Sequence, residues 1–280
     1  MASGIRQWAE FIKFEHTVFA LPFGLAAMFT AAGGMPSGRI LLGVLICLVG
    51  ARTAAMAFNR LADWQLDKKN PRTAGRSTLV TKTVAWVTVV AGVGGLVFGA
   101  WLLHPLCLTL SPLAVAIVFF YSLTKRFTWM SHGFLGLALG TAPMGAWLAV
   151  TGRADSWLPI LLGLAVGLWV AGFDLVYALQ DRAFDRQEGL FSFPARFGEA
   201  PTLQVAAGLH GLAWLCLGWF GQKAGFGWRY NLVWIGVGGV FVGETIWARQ
   251  EGGRQRAFFH ANAAVSLLVL GGVIWEIFRR

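Results

Sequence analysis

The sequence predicts an all-α polytopic membrane protein, a bundle of nine transmembrane helices around a central cavity. Hydrophobic residues make up 56% of its 280 residues and charged residues only 13%, whereas soluble domains carry about 25% charged residues. The apolar residues are grouped into runs close to the roughly 20 residues that a helix needs to cross a bilayer. Backbone groups in lipid must be hydrogen-bonded within their own segment, so we expect these runs to be helices.

The nine spans follow one another with short connections. We predict them at 17–33, 40–58, 83–103, 105–123, 133–151, 157–179, 201–221, 230–248 and 260–278. A single membrane domain over residues 1–280 is therefore expected. Arg6 and Lys13 precede the first run, as in a signal peptide, but Glu10, Glu15 and eight further runs favour a retained helix.

Glycine pairs within the spans have the spacing that lets transmembrane helices approach closely. Examples of this small-x-x-x-small pattern are Gly95/Gly99, Gly136/Gly140 and Gly163/Gly167. We interpret them as packing positions and not as nucleotide-binding loops, because each pair lies inside an apolar span.

Cysteine usage and charge exclude several classes of protein. Cys47, Cys107 and Cys216 each stand alone in an apolar run, which argues against a disulfide framework or a zinc site. The net charge is +10, but no basic stripe interleaved with aromatic residues occurs in a soluble segment. We therefore expect no nucleic-acid partner and read the charge as a sign of membrane topology.

The basic residues are distributed unevenly between the two sides of the predicted bundle. Most of the 23 lysines and arginines lie in segments that share a side with the N-terminus. The positive-inside rule then places the N-terminus in the cytoplasm, as expected for a bacterial inner-membrane protein. Two aspartate-rich segments follow even-numbered spans and are expected on that same face.

The first aspartate-rich segment follows the second span. Asn59, Asp63 and Asp67 recur every four residues, so on a continuous helix they form one polar stripe. Arg52 falls on the same stripe, seven residues earlier. An arginine this deep in a span is costly unless it faces a polar cavity, so it is a functional candidate.

The second segment repeats this arrangement after the sixth span. Asp174, Asp181 and Asp185 are spaced seven and four residues apart, on one helical face, with Tyr177 beside them. A single carboxylate pair at a helix end is often only a solvated turn. Two such stripes on one membrane face predict a shared site, in which Asp63, Asp67, Asp181 and Asp185 are the catalytic candidates with Lys125.

Carboxylate and amide oxygens are ligands that suit Mg²⁺, which proteins usually share with substrate phosphates. Side chains suited to phosphate follow the first segment (Lys68, Lys69, Arg72 and Arg76) and form a second group at the end of the fourth span (Tyr121, Lys125 and Arg126). Lys68, Lys69 and Arg126 could equally be positive anchors at the membrane surface. A metal–phosphate site beside helices rich in Phe and Trp predicts a lipid-tailed diphosphate that ionises to an allylic cation.

These motifs resemble those of the UbiA-type intramembrane prenyltransferases. The two aspartate motifs stand here as NRLADWQLD (59–67) and DLVYALQDRAFD (174–185), and NPRTAGR (70–76), YSLTKR (121–126) and EGLFSFPARFG (188–198) are also similar to that family. The resemblance covers nearly the whole chain. Arg60 departs from the family pattern, because many members have an acidic residue directly after the asparagine.

The resemblance implies a role for each motif residue. Mg²⁺ and the diphosphate would be held by Asn59, Asp63, Asp67, Asp181 and Asp185. The residues that would contact pyrophosphate or order the loops over it are Arg52, Arg72, Arg76, Tyr121 and Lys125. Asp174 would shape the acceptor side, with Tyr177 next to it.

The family's branches differ in their acceptor. The run from Ala178 to Gly198 looks like the 4-hydroxybenzoate polyprenyltransferases of ubiquinone synthesis, whereas KFEHTVFALPF (13–23) looks like relatives proposed to prenylate a dihydroxynaphthoate for menaquinone. The resemblance thus implies polyprenyl diphosphate and a hydroxylated aromatic acid as substrates. His16 is either an acceptor contact or a helix cap.

Two other functions remain open. A transporter would also carry intramembrane charges, but here the charges cluster near the membrane interface rather than at mid-membrane. A prenyltransferase with a non-aromatic acceptor, such as haem, chlorophyllide or a glycerol phosphate, would differ only in its acceptor pocket. No histidine–carboxylate pair stands out in the sequence as a general base for the ring proton.

Overall fold

The computed structural model describes residues 2–250 and 257–279, which form helices and connecting turns without a β-strand. The α-helices in these ranges are α1 (Ala2–Phe11), α2 (Thr17–Ala32), α3 (Gly38–Ala62), α4 (Trp64–Lys69), α5 (Lys82–Leu102), α6 (Pro105–Thr124), α7 (Ser131–Thr151), α8 (Leu158–Ala178), α9 (Arg182–Gln187), α10 (Phe193–Phe197), α11 (Glu199–Lys223), α12 (Trp228–Ala248) and α13 (Asn262–Ile277). A π-helical turn, Ala257–Ala261, precedes α13. The all-α prediction is confirmed.

The long helices coincide with the predicted spans. In the described ranges, eight helical segments are long and apolar enough to cross a membrane: α3, α5, α6, α7, α8, α11, α12 and the segment Phe259–Ile277 that ends in α13. The first predicted span corresponds to α2, which has 16 residues and contains Pro22. At about 1.5 Å per residue it is about 24 Å long, somewhat less than the hydrocarbon core.

Glycines bring two pairs of neighbouring helices into close contact. A β-carbon added to Gly140 of α7 would lie 2.6 Å from the carbonyl oxygen of Gly163 in α8. One added to Gly92 of α5 would lie 2.6 Å from the backbone nitrogen of Ala54 in α3. These helices therefore pack backbone to backbone, as the glycine spacing predicts.

An aromatic cluster fills the centre of the bundle. Phe23 of α2 and Phe173 of α8 both pack on Trp169, with ring centroids 5.1 and 5.0 Å from the indole. The Trp169 indole N–H donates to the side chain of Asn262 in α13 at 2.8 Å, so its polar atom is satisfied despite burial. The cluster fixes α8, whose last turns and following residues carry the second aspartate segment.

Neither aspartate segment is a continuous helix, which corrects the prediction of unbroken stripes. Helix α3 ends at Ala62, Asp63 has φ −92° and ψ 8°, and α4 begins at Trp64. After α8, a 3-10 turn over Leu179–Asp181 precedes α9. Aspartate favours such helix ends, because its side chain competes with helical backbone hydrogen bonds.

The four-residue spacing of the first segment nevertheless survives the break. The Asp63 N–H still donates to the Asn59 carbonyl at 3.0 Å, and the Asp67 N–H donates to the Asp63 carbonyl at 2.7 Å. The polar side chains therefore follow one another along the chain, although the helix axis is interrupted between them.

The short helix α1 packs against the loop-side ends of α3 and α5. Phe11 and Ile12 are 1% and 2% exposed within a cluster that includes Ala57 and Val89. The indole of Trp8 donates to the Thr88 hydroxyl of α5 at 3.0 Å. The chain before the first span is thus part of the folded structure.

Candidate active site

The first carboxylate of the first segment is buried between two cations. Asp63 is 6% exposed. Lys125, at the C-terminal end of α6, donates to Oδ2 at 2.5 Å, and Arg126 donates to Oδ1 at 3.1 Å. Arg126 is further fixed by its bonds to the carbonyls of Ala62 and Ser122, at 2.7 and 2.9 Å. The start of α4 is therefore tied to the end of α6.

Asp67 is also buried beside two arginines. It is 8% exposed, and its Oδ1 accepts a hydrogen bond from Arg76 at 3.1 Å. Arg60 places Nη1 3.9 Å from Oδ2 of Asp67, while its Nε donates to the carbonyl of Phe11 at the end of α1, at 3.4 Å. The Thr73 hydroxyl adds a hydrogen bond to the Asp67 carbonyl.

Residues after the first segment bind the second segment directly. Asn70 donates to Oδ1 of Asp181 at 2.8 Å, and Arg72 donates to both carboxylate oxygens, through Nε at 2.9 Å and through Nη2. Nη1 of Arg72 donates to the Tyr177 hydroxyl at 2.8 Å, and its guanidinium lies 5.1 Å from the centre of that ring. The two segments therefore share one site.

The electrostatics of Arg72 favour a permanent charge. Burial opposes that charge, but the hydrogen bonds to Asp181 and Tyr177 outweigh burial and raise the pKa of the guanidinium above its ordinary value. The Arg72–Asp181 pair is thus a forked, charge-assisted contact of the strong kind.

Two further contacts join the loops over this face. Lys69 binds Glu188 at 2.6 Å, and the N–H of Phe191 donates to the carbonyl of Lys125 at 2.8 Å. The loop after α3, the end of α6 and the loop after α9 are therefore connected into one polar layer.

Asp174 lies deeper, in the last turns of α8, and pairs with a histidine. Its Oδ2 is 2.7 Å from Nδ1 of His132, the second residue of α7. His132 is 6% exposed, whereas the Asp174 side chain keeps 23% of its surface exposed. This is the histidine–carboxylate pair that the sequence did not reveal.

The remaining predicted residues lie in the same region. Asn59, in the last turn of α3, and Asp185, in α9, are half-buried. Arg52 and Tyr121 are half-buried on α3 and α6, close enough to interact electrostatically. The side chain of His16 lies outside the described residues.

Sequence reasoning missed four residues that contact the motifs. The sequence alone does not identify Arg60, Asn70 or His132 as site residues. For Arg126 it allows either a role in the site or a role as a positive anchor at the membrane surface. Arg126 carries a usable signal, because it directly follows Lys125 at a helix end, and Arg60 lies only seven residues before Asp67. The contacts of Asn70 with Asp181 and of His132 with Asp174 depend on chain segments that are far apart in sequence.

The atoms of this site that could bind a metal are carboxylate and amide oxygens, and among the described residues they do not form a complete metal site by themselves. In the part of the chain that the structure describes, no three His, Cys, Asp or Glu side chains come together closely enough to hold a metal ion. Mg²⁺ commonly takes only one or two carboxylates from a protein and completes its coordination with water and phosphate oxygens. The residues present fit a metal that is shared with a phosphate substrate.

Two solved structures have the same fold. A UbiA homolog from Aeropyrum pernix K1, solved in its apo form, is 33% identical, superposes with a TM-score of 0.85, and the match covers 94% of this chain and 98% of that one. A UbiA homolog from Archaeoglobus fulgidus, bound to GPP and Mg²⁺, is 16% identical with a TM-score of 0.69, over 97% of this chain and 99% of that one.

Sequence comparisons identify the family. The UbiA prenyltransferase family matches residues 20–264. The 4-hydroxybenzoate octaprenyltransferase of Alcanivorax borkumensis is 31% identical over 252 residues, which are 88% of this chain and 86% of the relative. That of Stutzerimonas stutzeri is 32% identical over 264 residues, 90% and 86% of the two chains. The chain therefore belongs to the UbiA prenyltransferase family.

Proposed function

We propose that this chain transfers a polyprenyl group from a polyprenyl diphosphate to a hydroxylated aromatic acid, in ubiquinone or menaquinone biosynthesis. The observation that carries the proposal is the junction of the two aspartate segments, in which Asn70 and Arg72 of one loop bind Asp181. In a UbiA family member this junction supports a diphosphate site at the ends of the helices rather than a transport path.

The aromatic acceptor is supported by the relatives. Two curated proteins that match almost 90% of this chain are 4-hydroxybenzoate octaprenyltransferases. The segment 13–23 resembles enzymes proposed to act on a dihydroxynaphthoate. Both acids carry a ring hydroxyl and a carboxylate, so a pocket that recognises these two groups would suit either acid.

The oxygen ligands of both segments would hold Mg²⁺, and they are Asn59, Asp63, Asp67, Asp181 and Asp185. The Archaeoglobus homolog of the same fold is bound to GPP and Mg²⁺, which supports a metal–diphosphate site in this fold. When bound, the metal would neutralise negative charge that develops on the departing diphosphate.

The basic residues would bind the diphosphate. Lys125, Arg76 and Arg72 each pair with one carboxylate in the structure, namely Asp63, Asp67 and Asp181. In the substrate complex they would turn to phosphate oxygens. There they would stabilise the leaving group as the allylic C–O bond breaks and its electron pair moves to the diphosphate.

The ring of the acceptor would attack the allylic carbon from the side of Asp174. A carbon ortho to the ring hydroxyl forms the new C–C bond and then loses its proton. The connected loops, held by Lys69–Glu188 and Phe191–Lys125, would limit access of water to the cation.

The distribution of basic residues supports a bacterial inner-membrane location for this polytopic chain, with the N-terminus and the site in the cytoplasm. Membrane-spanning helices would then present the polyprenyl tail to lipid while the diphosphate stays at the interface.

The decisive experiment offers acceptors one at a time. Membranes that contain the protein are incubated with a radiolabelled polyprenyl diphosphate and either 4-hydroxybenzoate or 1,4-dihydroxy-6-naphthoate, with and without Mg²⁺. We expect a labelled, lipid-soluble product with at least one acid, and only when Mg²⁺ is present. Parallel membranes carrying Asp181→Ala report the background.

Two results would contradict the proposal. Product with a glycerol phosphate, haem or chlorophyllide but with neither aromatic acid would overturn the acceptor class. Turnover that is unaffected by a chelator would overturn the role of the metal.

A further inference from the structure

His132 and Asp174 form a polar pair at the inner edge of the site. Nδ1 and Oδ2 are 2.7 Å apart, and the side chains are 8% and 23% exposed. Tyr121 is within electrostatic range of Asp174, and Asp185 is within range of His132. The pair therefore borders the motif residues, with the aspartate on the open side and the histidine behind it.

The direction of the hydrogen bond follows from the two groups. An ionised carboxylate can only accept, so Nδ1 of His132 carries the hydrogen and donates to Oδ2. Nε2 of His132 is fully buried and has no hydrogen-bond partner among the described residues. A second proton on Nε2 would be buried without an acceptor, at a cost of about 1–3 kcal/mol. His132 thus acts on Asp174 through Nδ1 alone.

The depth of Asp174 distinguishes it from the other motif aspartates. Four residues of α8 and a three-residue 3-10 turn separate it from Asp181, and at about 1.5 and about 2.0 Å per residue these place it about 12 Å away along the axis. A diphosphate bound near Asp181 and Arg72 would leave Asp174 beyond the phosphates, on the side where an acceptor ring must approach. The bond to His132 occupies Oδ2 and leaves Oδ1 for that acceptor.

We propose that Asp174 accepts the ring-hydroxyl proton of the aromatic acceptor and that His132 is the positioning residue that orients Asp174. This inference rests on the proposed function and identifies the group that activates its acceptor. His132 does not contact substrate. Its hydrogen bond fixes the carboxylate, just as partners behind a metal ligand fix that ligand.

The proton and electron movements balance. The phenolic O–H bond breaks toward Asp174, and the electron density released into the ring forms the C–C bond at the ortho carbon as the diphosphate leaves. The resulting ring ketone regains its hydroxyl when protonated Asp174 returns the proton to oxygen and the ortho C–H proton passes to diphosphate or water. No oxidant or reductant is required.

The test compares His132→Ala with His132→Asn on two acceptors, 4-hydroxybenzoate and its more acidic 3-fluoro analogue. We expect His132→Ala to lower kcat/KM for 4-hydroxybenzoate by about 10- to 100-fold, with KM for the polyprenyl diphosphate within twofold of wild type. His132→Asn, whose amide can donate from nearly the same place, should recover part of the loss. His104→Ala, at the opposite end of the helices, removes an imidazole as a control and should change neither constant.

The fluorinated acceptor separates activation from a structural role. Each variant rate is divided by the wild-type rate on the same acceptor, which cancels the effect of fluorine on ring nucleophilicity. The loss in His132→Ala should shrink for the more acidic phenol, because it needs less help to release its proton. The inference would be overturned if His132→Ala lowered kcat/KM by the same factor on both acceptors, or if KM for the diphosphate rose in parallel. Failure of the wild-type protein to prenylate these two acids and 1,4-dihydroxy-6-naphthoate alike would instead overturn the proposed function.

Discussion

The first aspartate segment is buried and paired on several sides, whereas Asp181 of the second is partly open and held by one loop. The side chains of Asp63 and Asp67 are 8% and 11% exposed, and each faces two basic side chains. The Asp181 side chain keeps 20% of its surface exposed, and among the described residues its ion pair is with Arg72 alone. The first half of the site is therefore part of the folded core, while the second half is completed by the loop that carries Asn70 and Arg72.

This difference teaches that residues proposed for the same chemical role can differ in their structural role. A buried charge that loses its partner is costly, whereas a partly exposed one can be solvated by water. Substitutions in the first segment should thus affect both folding and activity, and substitutions at Asp181 should affect mainly activity.

The largest expected effect separates Asp63 from Asp181. Alanine at either position should abolish prenyl transfer, but only Asp63→Ala leaves Lys125 and Arg126 without their carboxylate. We expect Asp63→Ala to lower the free energy of unfolding by about 1–3 kcal/mol, and Asp181→Ala to lower it by less, because water can reach the Arg72 side chain that loses its partner. Turnover and thermal unfolding in the same detergent measure both. Equal losses of stability, or full activity in either variant, would contradict the comparison.

The next effect concerns the arginines that serve the two halves. Arg72 makes a forked contact and also bonds Tyr177, whereas Arg76 makes one hydrogen bond to Asp67. Lysine cannot reproduce a fork, so Arg72→Lys should raise KM for the polyprenyl diphosphate about tenfold, a change of about 1.4 kcal/mol. Arg76→Lys should raise it about threefold or less. A larger rise in KM for Arg76→Lys than for Arg72→Lys would contradict the greater role in diphosphate binding expected for Arg72.

The pH dependence gives a check on Arg72. Its pKa is raised in the folded protein, so its contribution to stability is fully present below the ordinary pKa of arginine in the unfolded chain and is lost only as the pH rises through the higher folded value. The difference in unfolding free energy between wild type and Arg72→Ala should therefore stay constant from pH 7 to about pH 10.

The smallest effect is expected at the bridge between the two loops. The Lys69 side chain is 60% exposed, and surface ion pairs contribute about 0–1 kcal/mol. Lys69→Met and its matched partner Glu188→Gln should each change KM by less than about twofold, with little change in thermal unfolding. A tenfold change in KM in both variants would contradict this expectation. It would show that substrate binding in the second half depends on the bridge between the loops more than on the individual aspartates.

The spans and the motif residues could be predicted because both depend on local sequence. Apolar runs place the helices, and the four-residue repeat from Asn59 to Asp67 survives in the backbone hydrogen bonds even where the helix breaks. The break itself was not predicted, because a repeat of four is compatible with either an unbroken helix or two short ones.

The partners of the motif residues could not be predicted from a single sequence. His132 is 42 residues from Asp174, and Arg60 meets the carbonyl of Phe11 across 49 residues. Such contacts depend on how helices pack, and the helical periodicity of one segment carries no information about its neighbour. Arg60 stood out only as a departure from the family pattern, yet it connects α1 to Asp67.

The pairing of Asp63, Asp67 and Asp181 with cations also governs how ligands first reach this face. The basic partners of these three carboxylates are Arg60, Arg72, Arg76, Lys125 and Arg126. Cations thus outnumber carboxylates among these residues, so the field of the free protein attracts anions. Electrostatic steering of this kind accelerates the encounter with a polyanionic headgroup and weakens as ionic strength rises. A site rich in aspartate is, before its substrate arrives, an anion receptor.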